Sequence, residues 1–142
     1  MILSLLLPLI FHAADSTVVN PFPEVTFLET VRIIHHVPEV VFHGRPYDLQ
    51  CYVDFPEDKI TFVHLFFKTD RMSSFVEIPL ENKYNMYSYR YFDQLLPADS
   101  IEYFFLVETN SAIFATPLDS AGHIAPVMKP LIDPVEYYKS RK

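Results

Sequence analysis

Ile101-Glu-Tyr-Phe-Phe-Leu-Val-Glu108 is an aromatic and β-branched run, closed by Thr109-Asn-Ser111 and followed at once by a second short apolar segment, Ala112 to Ala115. A run of this kind, bounded by residues that favour turn geometry, reads as strand, turn, strand. The same grammar repeats upstream. Alternation with a period of two marks Arg32 to His36, with Glu39 to Phe42 as its continuation beyond Pro38, then Tyr47 to Asp54, Ile60 to Lys68, Phe75 to Leu80 and Tyr84 to Phe92. Between them lie His43-Gly-Arg-Pro46, Phe55-Pro-Glu-Asp58, Thr69 to Ser74, Glu81-Asn-Lys83 and Pro97-Ala-Asp-Ser100, each rich in turn formers. Several short strands without helical period between them predict an all-β chain, a single antiparallel β-sandwich of about seven strands with extensions at both ends.

Composition narrows the function classes. At 142 residues and 50% hydrophobic content, the chain can bury one packed core. Two glycines against twelve prolines leave no raw material for a glycine-rich phosphate cradle. A formal net charge of −7 argues against nucleic acid or an anionic membrane surface, both of which need clustered Lys and Arg. The basic residues at the end, Lys139, Arg141 and Lys142, read as a solubilising terminus. Just before them, Asp133-Pro134 ahead of Val-Glu-Tyr-Tyr-Lys139 fits the N-cap and first turn of a short helix, a disordered tail being the alternative.

The apolar run Ile2 to Phe11 is too short to span a bilayer and has the length of a secretory signal's hydrophobic region. Small residues at Ala14 and Ser16 suit cleavage before Thr17, although no Lys or Arg precedes the run, and a hydrophobic first strand is the competing reading. The expected organisation is therefore a signal peptide over 1–16, an arm over 17–31, a sandwich over 32–127 and a C-terminal extension over 128–142. No integral membrane span is expected, and the mature chain is placed in the periplasm or at the cell surface. Cys51, the single cysteine, shares a strand face with Leu49 and Val53 and reads as a buried core thiol.

Gly44-Arg-Pro46 leading into a strand, Val63-His-Leu-Phe-Phe-Lys68, Tyr87-Ser-Tyr89, Leu96-Pro97, the Ile101 to Glu108 run and Ala115-Thr-Pro117 follow one another in an order that resembles the immunoglobulin-like, fibronectin type III-like modules of bacterial exported proteins. The resemblance covers about Val37 to Pro126 and rests on structural motifs, so it implies a fold and no catalytic residues. Asn110-Ser111 replaces the glycine usual before the last strand. Tyr103 stands where such folds place a corner tyrosine whose hydroxyl bonds back to the preceding connection; an ordinary half-buried tyrosine is the other reading.

Two strands are apolar on both faces. Val63, Leu65 and Phe67 oppose Phe62 and Phe66; Tyr103, Phe105 and Val107 oppose Phe104 and Leu106. If these strands are neighbours, Phe62, Phe66, Phe104 and Leu106 form an outward apolar patch that something must cover. The chain's own ends, Val25 to Ile34 or Ile124 to Val135, are one candidate, and a protein partner or neighbouring subunit is the other. Chemistry is less evident. His35 and His36 are adjacent on a strand and point to opposite faces, so they cannot jointly hold a metal with His43 from a regular strand. No nucleophile elbow or acid/base pair is spaced for catalysis, and no cofactor is expected. The reading that follows is an exported, non-enzymatic interaction or structural subunit whose partner-binding residues are Phe62, Phe66, Phe104 and Leu106. A carbohydrate-binding module stacking sugars on tyrosine or phenylalanine is the alternative, with Tyr84, Tyr87, Tyr89 and Tyr91 concentrated in one strand region; against it, tryptophan, the commonest large stacking surface, is absent, and Tyr87, Tyr89 and Tyr91 share a face expected to point into the core.

Overall fold

Two β-sheets packed face to face hold the chain together in the computed structural model, which describes residues 21–141. The expected signal peptide and the start of the arm lie outside the described residues. The strands are β1 (Ile33–Ile34), β2 (Val41–Phe42), β3 (Tyr47–Val53), β4 (Ile60–Thr69), β5 (Val76–Pro79), β6 (Asn82–Lys83), β7 (Met86–Tyr91), β8 (Ser100–Thr109), β9 (Ile113–Thr116) and β10 (Val127–Ile132), followed by helix α1 (Pro134–Lys139). One sheet runs β1-β3-β7-β6 and the other β2-β10-β8-β4-β5, with β9 also on β8. All pairings are antiparallel except β2 with β10. The all-β sandwich expected from the alternation is what the chain forms.

The inward sets are those the alternation picks out. Leu49, Cys51 and Val53 of β3 meet Val63, Leu65 and Phe67 of β4 and Ile101, Tyr103, Phe105 and Val107 of β8, all essentially inaccessible to solvent. Each large apolar side chain sealed there stabilises the fold by about 1.5–3 kcal/mol relative to exposure. Pro38 interrupts the first extended segment, and the chain uses the break to change layers: β1 joins β3 while β2 joins β10 in the opposite sheet.

Three local features depart from expectation. The first is β10, which cuts across the boundary placed at 127/128. Residues 128–132 belong to the sandwich, because β8 offers its second edge in two halves: Phe105 to Glu108 pair with β9, and Ser100 to Tyr103 with β10. Pro130 sits where β10 leaves β8 for β2, at the end of the first ladder, so its missing N–H costs no central bond, and Leu131 N–H resumes by donating to the Asp99 carbonyl at 2.8 Å.

The second concerns the corner tyrosine. Tyr91, at the end of β7, donates its hydroxyl to the Leu96 carbonyl at 2.8 Å and ties down the connection to β8. Tyr103 is instead buried in the core with its hydroxyl 2.7 Å from His35 Nε2. The third is the β6–β7 hairpin, whose two central residues, Tyr84 (φ 56) and Asn85 (φ 66), are both left-handed. A two-residue turn of this hand matches the twist of the flanking strands, but it normally recruits Asn-Gly or Gly-Gly.

Turn closure elsewhere uses side chains where glycine is scarce. Thr109 Oγ1 accepts from the Ala112 and Ser111 N–H groups at 3.2 and 3.3 Å, closing the β8–β9 connection without glycine. Asp70 Oδ1 accepts from the Asp99 and Ser100 N–H groups at 2.8 and 3.2 Å. Gly44, at φ +81 before β3, donates its N–H to Asp93 Oδ1 at 2.8 Å. Asp133 caps α1 as its spacing suggests, accepting from Val135 N–H at 2.8 Å, and the helix lays Tyr137 and Tyr138 against Phe42 with ring centroids 5.2 and 5.8 Å away.

Candidate binding face

Phe62, Phe66, Phe104 and Leu106 do share the outer face of the larger sheet. Phe66 pairs with Phe104 and His64 with Leu106, and the Phe66 and Phe104 rings stack at 4.8 Å with 3° between their planes. The face is closed, however, by the chain itself. Phe22 sets its ring edge-on to Phe66 and Phe104 at 5.8 and 6.4 Å, and Phe27 packs on Phe22 at 6.0 Å. Leu118, Ile124, Phe75 and Ala115 complete a second core around them. Phe27 N–H donates to the Gly122 carbonyl at 2.9 Å, fastening the arm to the loop that follows β9. Phe104 retains no accessible surface and Leu106 only 8%. These two residues are thus corrected from a partner surface to an internal cluster, and Phe62 and Phe66 are left half-buried. The physical reason is that four large apolar side chains attract the nearest apolar cover, here Phe22 and Phe27 tethered on the same chain.

The titratable residues are dispersed. His35 is half-buried between the sheets, with Nδ1 2.8 Å from the Gln50 carbonyl and Nε2 2.7 Å from the Tyr103 hydroxyl. Burial lowers its pKa from the ordinary histidine value, more than the Gln50 bond raises it, and the charge of His36 lowers it further. The neutral ring fits this setting by donating from Nδ1 to Gln50 and accepting the Tyr103 proton at Nε2. His36 is exposed, and His43 pairs with Asp93 at 3.0 Å. Burial raises the Asp93 pKa, but hydrogen bonds from His43 and Gly44 outweigh it and hold the carboxyl below its usual range. His64 pairs with Glu77 across β4 and β5, under a stacked Phe62 ring 4.3 Å away. On the same outer face Glu102 is buried opposite Lys68, one carboxylate oxygen having no hydrogen-bond partner among the described residues; burial raises its pKa and Lys68 partly offsets that. Among the described residues no three His, Cys, Asp or Glu side chains are grouped to hold a metal, and no helix is long and apolar enough to cross a membrane.

Cys51 lies 1% exposed in the main core, and burial pushes its thiol up to about 12. A soluble disulfide reagent is expected to label it in denaturant and leave it unmodified in the native protein over hours at neutral pH. Labelling of the native chain at the denatured rate would place this thiol at the surface.

The opposite side of the molecule is open. A groove of about 1140 Å³ lies between the outer face of the smaller sheet and the β5–β6 connection. It is lined by Asp48 and Gln50 of β3, by Met86, Ser88 and Tyr89 of β7, by Ile78, Pro79 and Leu80, and by the β6–β7 hairpin with Tyr84 at its tip. Gln50 and Ser88 are direct cross-strand partners. Asp48 is neutralised by Arg90, whose Nε and Nη2 donate to its two oxygens at 3.0 and 3.3 Å. Asn82 is engaged structurally, donating to Glu57 at 2.9 Å and accepting the Asn85 N–H at 2.7 Å. Tyr84 projects from this frame 93% exposed.

The sequence puts Tyr84 in one strand region with Tyr87, Tyr89 and Tyr91 and turns the last three toward the core. The structure separates them, because Tyr87 and Tyr91 are buried in the main core, Tyr89 packs against it, and Tyr84 occupies the turn. The signal available was Asn82 and Asn85 on either side of it, since asparagine tolerates the left-handed backbone.

Fold and groove together define an all-β sandwich with one self-covered face and one open, aromatic-tipped face. No protein-family profile matches the chain, and no curated protein matches it. Among solved structures it is similar to the X-ray structure of the endo-beta-1,4-mannanase from Thermotoga petrophila, at 9% identity and a TM-score of 0.47, over 74% of this chain and 21% of that one. The chain therefore spans a minor part of that enzyme's length, and a likeness of this size says nothing about what it binds.

Proposed function

We propose that the protein is an exported, non-enzymatic binding module of the immunoglobulin-like kind, and that it engages its partner through the groove face of the smaller sheet. One observation carries the choice of face: Tyr84 is held in a left-handed conformation and projects almost fully into solvent. Non-glycine residues in this region cost of order 1–3 kcal/mol and persist where the surroundings fix them, commonly at binding sites. The Phe62, Phe66, Phe104 and Leu106 face is a weaker choice, because Phe22 and Phe27 would have to be displaced first. The immunoglobulin-like reading draws support from the sheet order, from the division of the first strand between layers and from the parallel pairing of β2 with the last strand. Export is supported by the Ile2 to Phe11 run.

Immobilised full chain can be challenged with envelope and extracellular fractions of the producing cells, protein and polysaccharide fractions separately. The expected result is retention of one fraction that is lost with Tyr84→Asn and kept with Phe62→Ser. Retention that survives Tyr84→Asn, or none from either fraction, sinks the groove-face reading.

A further inference from the structure

We propose that the groove takes a neutral oligosaccharide, stacked on Tyr84 and hydrogen-bonded along the Gln50–Ser88 pair; this rests on the groove being the binding face. A pyranose ring presents apolar C–H faces ringed by hydroxyls that both donate and accept. Its complement is a flat aromatic surface beside uncharged polar side chains. Tyr84 supplies the ring, on a two-residue turn that already fixes its backbone, so only the rotation of the side chain is lost when a ligand stacks. Gln50 offers a donor and an acceptor and Ser88 both in one hydroxyl, side by side across β3 and β7. Among the described residues neither side chain is committed to another partner.

Charge selects the ligand further. With Asp48 and Arg90 matched, Glu81 set against Lys83 and the Glu57 carboxylate on Asn82, there is no excess of positive charge to hold an acidic polysaccharide, which favours an uncharged ligand. Size argues for several sugar units, because about 1140 Å³ exceeds the roughly 300–1,000 Å³ of pockets that enclose one small molecule.

A peptide is the competing occupant, and the strand edges here resist it. An extended peptide docks by adding to a free edge with several unpaired N–H and C=O groups. In this groove β6 is two residues long, and β5 ends in Pro79, which has no N–H to offer.

The test is calorimetric titration of the full chain with cellohexaose, mannohexaose and xylohexaose as neutral probes and a hexamer of galacturonate as the acidic control. Tyrosine fluorescence is a second readout, since the chain has no tryptophan to mask it. At least one neutral hexasaccharide is expected to bind at millimolar concentration or below. Tyr84→Asn is expected to weaken it roughly tenfold or more, and Gln50→Ala and Ser88→Ala severalfold each. The melting temperature of Tyr84→Asn should stay level or rise, because asparagine tolerates the left-handed backbone; the loss then cannot be ascribed to unfolding. The proposal is overturned if no neutral probe binds, if the acidic hexamer binds more tightly, or if folded Tyr84→Asn binds as the native chain does. If those results come with Tyr84-dependent capture from a protein fraction, the face stands as a binding surface and its saccharide occupant does not.

Discussion

Phe104→Ala is expected to lower the unfolding free energy by about 3–5 kcal/mol, the range for an aromatic side chain removed from a closed core. Urea melts followed by far-UV circular dichroism would measure it. Phe104 has no exposed surface; Phe66 stacks on it, and Phe75 and Phe22 contact its ring edge-on at 5.4 and 6.4 Å. Alanine would leave a void walled by rings from β4, the β4–β5 connection and the arm, and the β8 backbone is held by ladders on both edges, so it cannot sink to fill that void. Phe66→Ala should cost less, since that ring is only half-buried. An open partner surface makes the contrary forecast, in which Phe104→Ala changes stability by less than about 1 kcal/mol and improves solubility. That result would mean that the arm does not cover the sheet in solution.

The second large effect is expected at Tyr103. Tyr103→Phe deletes the hydroxyl that donates to His35 Nε2 and leaves a buried acceptor unpaired, a loss of about 1–3 kcal/mol at neutral pH. The same pair gives the protein an acid dependence of known sign. Burial holds the folded His35 pKa below the ordinary 6.5, so the unfolded chain binds this proton more readily. The contribution of His35 is therefore fully present above 6.5 and is lost as pH falls through the folded pKa. Asp70, Asp93 and Asp119, whose pKa values are lowered from 3.8, lose their contributions only at more acid pH. Glu102, raised from 4.5, acts in the opposite sense and favours the fold at lower pH. Melting temperatures of the native chain at pH 7 and 5 should fall with acid, and the fall should be smaller in His35→Phe. Equal slopes in the two proteins would show that another group carries the acid response.

Much of this architecture could be read from residues alone. Tyr47 to Val53 alternates so regularly that its face, its core membership and the role of Cys51 all follow, because a strand's side-chain period leaves one register that buries the large residues; Ile101 to Glu108, apolar on both faces, is legible instead as a strand sealed on both sides. Pro130 hid β10, since proline argues against a strand and only the hand-over from β8 to β2 makes it acceptable. The aromatic character of Tyr84 hid the hairpin tip: tyrosine favours strands, and a turn of this hand seldom uses it. The four residues of the apolar face were legible, but their cover was not. Phe22 lies outside the Val25 to Ile34 stretch expected to lie across the sheet, and a short irregular arm has no period to announce it. The corner tyrosine went to Tyr91 rather than Tyr103 because the Phe92 to Leu96 turn brings the Leu96 carbonyl back over β7, a closure that no spacing rule reports.

The parallel joint between β2 and β10 has a consequence for the order in which the protein is made. Lys129 Nζ reaches the Glu39 carbonyl from 90 residues along the chain, and Leu131 lies beside Val41. Such a pairing gains nothing until a long loop has been closed, which places it late and slows folding toward the millisecond-to-second range of β-rich domains. On the ribosome, β8 can pair with β4 and β9 while its first residues still have an empty edge, and that edge stays vacant until residue 130 emerges. Nascent chains stalled before this point would carry an unpaired strand end, a ready docking place for chaperones or for another unfinished copy.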